Sequence, residues 1–146
     1  MIPFRLLLEV SGIRNGRHLA EAGVKLNVTA MTILDQIRDA SAALAEGPAA
    51  FVSLFAGHVA DTDRDPVPLM SGAVNLLEMY PNVELLWAGP RELPNIFQAD
   101  AIRCHIITVT NDILKKLDLA GKDLHQYSLD TVRMFRDDAV KAGYAL

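Results

Sequence analysis

The sequence predicts an α/β fold of parallel βα repeats that make up half of a (β/α)8 TIM-type barrel. Four short apolar, β-branched runs alternate with helical patterns along the 146 residues, and that alternation builds a parallel sheet with right-handed crossovers. The runs are near-continuous in hydrophobicity, as strands covered on both faces are. Polar residues gather at their carboxyl ends (Asn27, Thr29, Ser53, Arg91, Thr108 and Thr110), where barrel sites lie. A doubly wound sheet would normally show a Gly-rich phosphate turn after its first strand, and none is present. A complete barrel needs about 250 residues, so four repeats amount to half of one.

The elements follow in order. Met1–Val10 is apolar, but Arg5 and Glu9 interrupt it. It is far short of the roughly 20 residues that cross a bilayer, and it lacks a signal peptide's cleavage site. Residues 1–13 are expected to form a divergent N-terminal segment of a single domain spanning 1–146. The strands are expected at Val24–Ala30, Ala50–Gly57, Val83–Gly89 and Cys104–Thr110. A helix over Met31–Ala45 carries Ile33, Leu34, Ile37 and Leu44 on one face. The next starts near Pro66, a favoured first-turn residue, and presents Leu69, Val74, Leu77 and Met79 before stopping at Pro81. A third spans Glu92–Ile102, and a short one, Asn111–Leu117, has Asn111 as its N-cap. A terminal helix over Ser128–Ala142, capped by Ser128, is expected to bury Leu129, Val132, Phe135 and Val140. Cutting a barrel here leaves two open edges, at Val24–Ala30 and Cys104–Thr110.

Composition removes several classes of function. With 18 Asp and Glu against 14 Lys and Arg, net charge −4, the chain has no basic cluster to bind nucleic acid. One cysteine cannot make an internal disulfide, so a reducing, cytoplasmic setting is expected, with no membrane partner.

The strand period of two sets Lys25, Asn27 and Thr29 on one side of the first predicted strand. A lysine among apolar neighbours can form a Schiff base. Lys25, however, stands at the strand's beginning, the stability end, where it can snorkel to solvent. Asn27 and Thr29 lie nearer the catalytic end, although a buried Asn–Thr pair also serves simply to satisfy backbone groups. Asp61-Thr-Asp63-Arg-Asp65 imitates the start of a calcium loop, but Pro66 stands where Gly is required and no Glu closes it. It reads as a solvated loop ahead of a helix. His18, His58, His105 and His125 have no metal-ligand spacing with Cys104, so no metal site is expected. Cys104 and His105 point to opposite faces and cannot pair as nucleophile and base. Trp87 reads as core packing under helices.

Four stretches then carry a resemblance. Gly23-Val-Lys-Leu-Asn-Val-Thr29, Ser53-Leu-Phe-Ala-Gly57, Leu86-Trp-Ala-Gly-Pro-Arg-Glu92 and Ile106-Ile-Thr-Val-Thr110, with Asp112-Ile-Leu-Lys-Lys-Leu117 following, resemble the transaldolase family in order and spacing. The closing Gly121-Lys-Asp-Leu and Ser128-Leu-Asp-Thr-Val-Arg-Met-Phe-Arg-Asp-Asp-Ala are similar to that family's terminal helix. The likeness runs from about Leu19 to Leu146 and is to the C-terminal half of the barrel, strands five to eight. It implies sugar-phosphate (pentose phosphate) chemistry, in which a three-carbon ketol unit is transferred through a lysine Schiff base without metal or organic cofactor. Fructose-6-phosphate aldolases are close relatives.

The resemblance also implies roles. Thr29 would position the catalytic water, Asn27 would hydrogen-bond substrate hydroxyls, and Ser53 would touch substrate. The phosphate site of the family uses an arginine after strand six, and a serine plus an arginine after strand seven. Those positions read His58, Gly89 and Arg91, so only Arg91 keeps the family's residue. A guanidinium holds phosphate bidentately and is always charged, whereas His is largely neutral at pH 7.

The family's Schiff-base lysine stands on strand four in a Lys-Ile-Pro-like context, and Met1-Ile2-Pro3 puts the initiating methionine there. Without that nucleophile, and without the acidic groups of strands one and three, the chain is expected to be inactive alone. A sugar phosphate is its expected ligand once a barrel is completed. The alternative is a non-catalytic half-barrel that self-associates or complements a separate N-terminal half.

Overall fold

A computed structural model describes residues 8–10 and 13–144. It divides into two compact units, Met1–Leu114 and Lys115–Leu146. The first holds β1 (Leu8–Val10), α1 (Ile13–Glu21), β2 (Leu26–Met31), α2 (Leu34–Leu44), β3 (Ala50–Leu54), α3 (Ala56–Ala60), α4 (Val67–Leu77), β4 (Val83–Trp87), α5 (Pro94–Ala101), β5 (Ile106–Ile107) and α6 (Asn111–Leu114). The second holds a 3-10 turn (Lys115–Leu119) and α7 (Leu124–Lys141).

The sheet has five strands, ordered β1-β2-β3-β4-β5, and every pairing is parallel. Spatial order equals chain order. A doubly wound sheet would reverse direction at a switch point, so this is the α/β half-barrel arrangement the repeats predicted.

Alternation along the strands divides the sheet's residues between two faces. Leu26 and Val28, then Val52 and Leu54, then Val83, Leu85 and Trp87 lie against α2, α4 and α5, where Ile37, Leu44, Met70, Leu77 and Ala99 complete the core. The other face carries Asn27, Thr29, Phe51, Ser53, Glu84, Leu86 and Ile106. Its apolar members Phe51, Leu86 and Ile106 stay half-buried.

Local chemistry fixes the ends. Gln36 Oε1 accepts from the backbone N–H groups of Thr32 (2.9 Å) and Ile33 (3.3 Å), reaching back over the start of α2 as the third residue of a helix does. Asn82 Nδ2 donates to Leu44 O (2.9 Å) and Gly47 O (3.2 Å), which takes up orphan carbonyls at the end of α2. Asp65 Oδ1 accepts from Val67 N (2.9 Å) at the start of α4. The β2–β3 register slips between Val28 and Met31, and Ala30 sits there at φ 66°. This is a bulge whose extra residue lies in the left-handed region.

Several expectations are corrected. The strand expected at Val24–Ala30 is not an open edge, because β1 pairs with it: Leu8 opposite Leu26, Glu9 opposite Asn27, Val10 opposite Val28. Part of the segment 1–13 is thus a sheet strand; residues 1–7 lie outside the described region. Helix α1 is unexpected; Gly16 takes a helical position in it where an added Cβ would meet Val28 Cγ2 at 3.8 Å, an ordinary contact. The third strand ends at Leu54 rather than Gly57, and the chain turns directly into α3. The last strand shrinks to two residues. Met31 ends β2 instead of opening α2, and Ile33 and Met79 are exposed. Asn111 is the first residue of α6, not its cap.

Within its own unit, α7 begins at Leu124 and is capped by Asp123, whose side chain accepts from Gln126 N at 2.8 Å, so Ser128 is interior. Val132, Phe135 and Val140 are 62%, 64% and 58% exposed and Leu129 is also exposed. One helix and one turn offer no second layer to bury them.

The two faces make a direct comparison available. Leu85 and Leu86 are adjacent but opposite in facing, so Leu85→Ala should destabilise the chain by about 2–5 kcal/mol in urea unfolding, as a filled core site does. Leu86→Ala should cost less than about half of that; equal losses would contradict the assignment of faces.

Candidate functional site

Strands β2 and β3 bring three of the expected residues together on one face. Asn27 stands opposite Phe51 in the parallel register, which sets Ser53 two residues further along on the same face. Ser53 Oγ donates to Asn27 Oδ1 at 2.7 Å, and both residues are buried, at 2% and 5% exposure. With Oδ1 engaged, what Asn27 can offer a ligand is its Nδ2 donors. Thr29 follows on the same face of β2, half-buried, immediately before the bulge at Ala30. Leu86 of β4 lies opposite Ser53. Two buried polar side chains and a half-buried hydroxyl share one sheet face, a pattern suited to holding a polyhydroxylated ligand.

The remaining three positions lie on the loops beyond β3 and β4. His58, in α3, is exposed and its ring tilts against Phe55 with centroids 5.0 Å apart. Gly89 has φ 66° and no side chain to offer. Arg91 does not stand free. Its Nε donates to Asp61 Oδ1 at 2.9 Å and its Nη2 to Asp61 Oδ2 at 2.6 Å, a fork-to-fork ion pair between the two loops. That hydrogen bonding, opposed by desolvation and aided by the charges of Arg91 and His58, holds the Asp61 carboxyl below its ordinary value of 3.8.

The loops approach each other along their backbones as well. Gly57 N donates to Ala88 O at 3.2 Å, and a Cβ at Gly57 would fall 1.8 Å from Gly89 O and 2.9 Å from Arg91 Cζ. Only glycine fits. The guanidinium is laid across the Gly57 backbone toward Asp61. Asn95 Oδ1 meanwhile accepts from the backbone N–H groups of Arg91 (2.9 Å) and Glu92 (3.0 Å).

Asp61 is the residue that sequence reasoning missed. It belongs to the loop read as solvated, and it is exposed; its partner is 30 residues away and invisible to local spacing. Lys25 stands one residue before β2, at the opposite end of the sheet, with Nζ 5.9 Å from the Phe51 ring centroid. It is the only lysine in residues 1–114. Cys104 Sγ lies 3.3 Å from Ile106 O and 3.6 Å from Leu85 O, and burial pushes the thiol up, away from the reactive thiolate. His105 turns to other work: its Nδ1 accepts from Leu85 N at 3.1 Å. Trp87 is buried in the core as expected. Among the described residues no group of three metal-ligating side chains gathers, and no helix is long and apolar enough to cross a membrane.

A family model described as Transaldolase/Fructose-6-phosphate aldolase matches residues 8–146. A "Probable transaldolase" of Chlorobium phaeovibrioides is 26% identical over 133 residues, which cover 90% of this chain and 56% of that protein. A "Probable transaldolase 2" of Bacillus cereus is 25% identical over 142 residues, 97% of this chain and 60% of that protein. A "Probable transaldolase" of Rhodospirillum centenum is 26% identical over 134 residues, covering 88% and 56% respectively. The chain thus spans little more than half the length of these relatives.

The Asp61–Arg91 pair has a readable pH signature. A carboxyl depressed in the folded state contributes above its ordinary range, and its contribution is lost as pH falls through the lowered value. In a carboxyl-carbon NMR titration, Asp61 should show a midpoint below 3.8, and Arg91→Ala should return it to the ordinary range. An unmoved midpoint would refute the pairing in solution.

Proposed function

The chain belongs to the transaldolase/fructose-6-phosphate aldolase family, and on that footing we propose that it contributes the strand-five-to-eight part of a transaldolase-like site for carbohydrate metabolism. Asn27 and Ser53 bind substrate hydroxyls, Thr29 positions a water for proton transfer, and Arg91 faces the phosphate of a sugar phosphate. His58 and Gly89 are weak contributors to that phosphate site, one by its largely neutral ring and the other for want of a side chain. The observation that carries this is the buried Ser53–Asn27 hydrogen bond at 2.7 Å, on the same sheet face as Thr29. A buried polar pair in an apolar sheet must be satisfied, and these two satisfy each other while keeping donors toward a ligand.

The family's ketol transfer runs through a lysine Schiff base. We propose that these 146 residues supply no such lysine and do not turn over substrate by themselves. Lys25, which precedes β2 with its Nζ over the Phe51 ring, supports this: it stands at the end of the strand opposite to Thr29. A free Cys104 with a raised thiol suits a reducing, cytoplasmic compartment.

A second reading, a half-barrel that closes on another copy or on a separate N-terminal half, draws on the apolar residues Phe51, Leu86 and Ile106, which stay half-buried on one sheet face. Such a face favours association.

Borohydride reduction of the chain in the presence of a ketose phosphate tests the lysine. No stable adduct on Lys25 is expected by mass spectrometry, and an adduct there would overturn the proposal that the chain lacks a Schiff-base lysine. Sedimentation tests the second reading: self-association is expected, and a monodisperse monomer that unfolds cooperatively argues against it.

A further inference from the structure

We infer that Asp61 is a specificity-determining residue of this site: it occupies the fork of Arg91 that a phosphate would need, so phosphorylated sugars gain little over sugars with an uncharged end. The inference rests on the sugar-binding role proposed above for Asn27, Ser53 and Arg91, and extends it to the class of substrate preferred.

The geometry leaves a phosphate few donors. The Nε and Nη2 edge of Arg91, the edge that grips an oxyanion bidentately, is filled by Asp61 at 2.9 and 2.6 Å. The neighbouring backbone donors of Arg91 and Glu92 are held by Asn95 Oδ1. Gly89 has no hydroxyl, and the His58 ring leans on Phe55. The loop itself is acidic, with Asp61, Asp63 and Asp65 against Arg64 within residues 61–65.

Asp61 is anchored at its backbone. Its own N–H donates to Gly57 O at 2.9 Å, and Gly57 is tied to Ala88 O at 3.2 Å and packed against the Gly89 carbonyl. The backbone contact between the two loops therefore sets where the Asp61 side chain starts, within reach of the Arg91 fork.

Charge then decides the preference. A phosphate monoester carries about −1.5 to −2 at neutral pH. If it shares Arg91 with Asp61 it sits within about 4 Å of a carboxylate. Repulsion at that distance, even with the dielectric of water, corresponds to a loss of about tenfold or more in affinity. A hydroxymethyl end suffers no such loss and can accept or donate to the same groups.

The test is phosphate binding, which needs no turnover. Inorganic phosphate is titrated into the chain at pH 8 and low ionic strength, following the Arg91 Nε–H resonance, for the unaltered chain, Asp61→Asn, Asp61→Ser, and Asp61→Asn combined with Arg91→Ala. Both single substitutions are at an exposed position and remove only the charge or the carboxylate. Each should tighten phosphate binding about tenfold or more, and the added Arg91→Ala should erase the gain. Affinity within about twofold of the unaltered chain in both, or a gain that survives loss of Arg91, overturns the role of Asp61. Either result leaves the family chemistry standing, while a borohydride adduct on Lys25 would leave this ratio unchanged.

Discussion

The parallel register of β2 and β3 decides which side chains of this chain can act together. Asn27 opposite Phe51 and Val28 opposite Val52 send Leu26, Val28, Val52 and Leu54 beneath the helices, and Asn27, Thr29 and Ser53 to the other face. A slip of one residue would exchange the two sets. It would expose four aliphatic side chains and bury an amide and two hydroxyls under α2 and α4, at about 1–3 kcal/mol for each polar group left unpaired. Core and candidate site therefore enforce each other. The hydrophobic pattern that builds the sheet is the same pattern that aligns the polar residues at its end.

What lies beyond the strand ends is held by backbone more than by charge. The Asp61–Arg91 pair is half-exposed, at 51% and 44%, and pairs of this kind contribute little to stability. The contact of Gly57 with Gly89 is the stiffer restraint, because no Cβ fits between them. It sets where Arg91 begins its path, and Asp61 receives the guanidinium at the end of that path. The bulge at Ala30 does similar work on β2: an extra residue in the left-handed region re-aims the chain just after Thr29.

Much of this was legible in the sequence because strand chemistry is local. The runs around Val28, Val52, Leu85 and Ile106 announced parallel strands, period two put Asn27 and Thr29 on one side, and Trp87 belonged under helices. The comparisons carry the same family that the motifs suggested. What escaped was non-local or disguised. Asn15-Gly16 hid α1, because a helix packed on a sheet tolerates residues whose intrinsic preference is for turns. Leu8–Val10 acquired its strand only by pairing with β2. Ser128 is an equally good cap by residue type, but Asp123 holds the position because α7 starts a turn earlier. The partner of Asp61 lies 30 residues away, and no spacing rule connects a solvated loop with an arginine after the next strand. The terminal helix misled for a different reason. Its apolar periodicity is real, but periodicity states which face wants burial, not whether a second layer is there to provide it.

The two faces of the sheet also differ in what can close them. The edge strands are short, three residues in β1 and two in β5, so a partner extending either ladder gains only a few hydrogen bonds, each worth about 1 kcal/mol net. Phe51, Leu86 and Ile106 offer a larger return, since burial of apolar surface contributes about 25 cal/mol per Å2. Covering the inner face is therefore the stronger drive, and it acts on the same side as Asn27, Thr29 and Ser53. The Ser53–Asn27 hydrogen bond is already removed from water, at 2% and 5% exposure, where the low dielectric strengthens it. Phe51, Leu86 and Ile106 stay half-buried on the same face, so that face joins a dry polar pair to apolar area that still gains from burial.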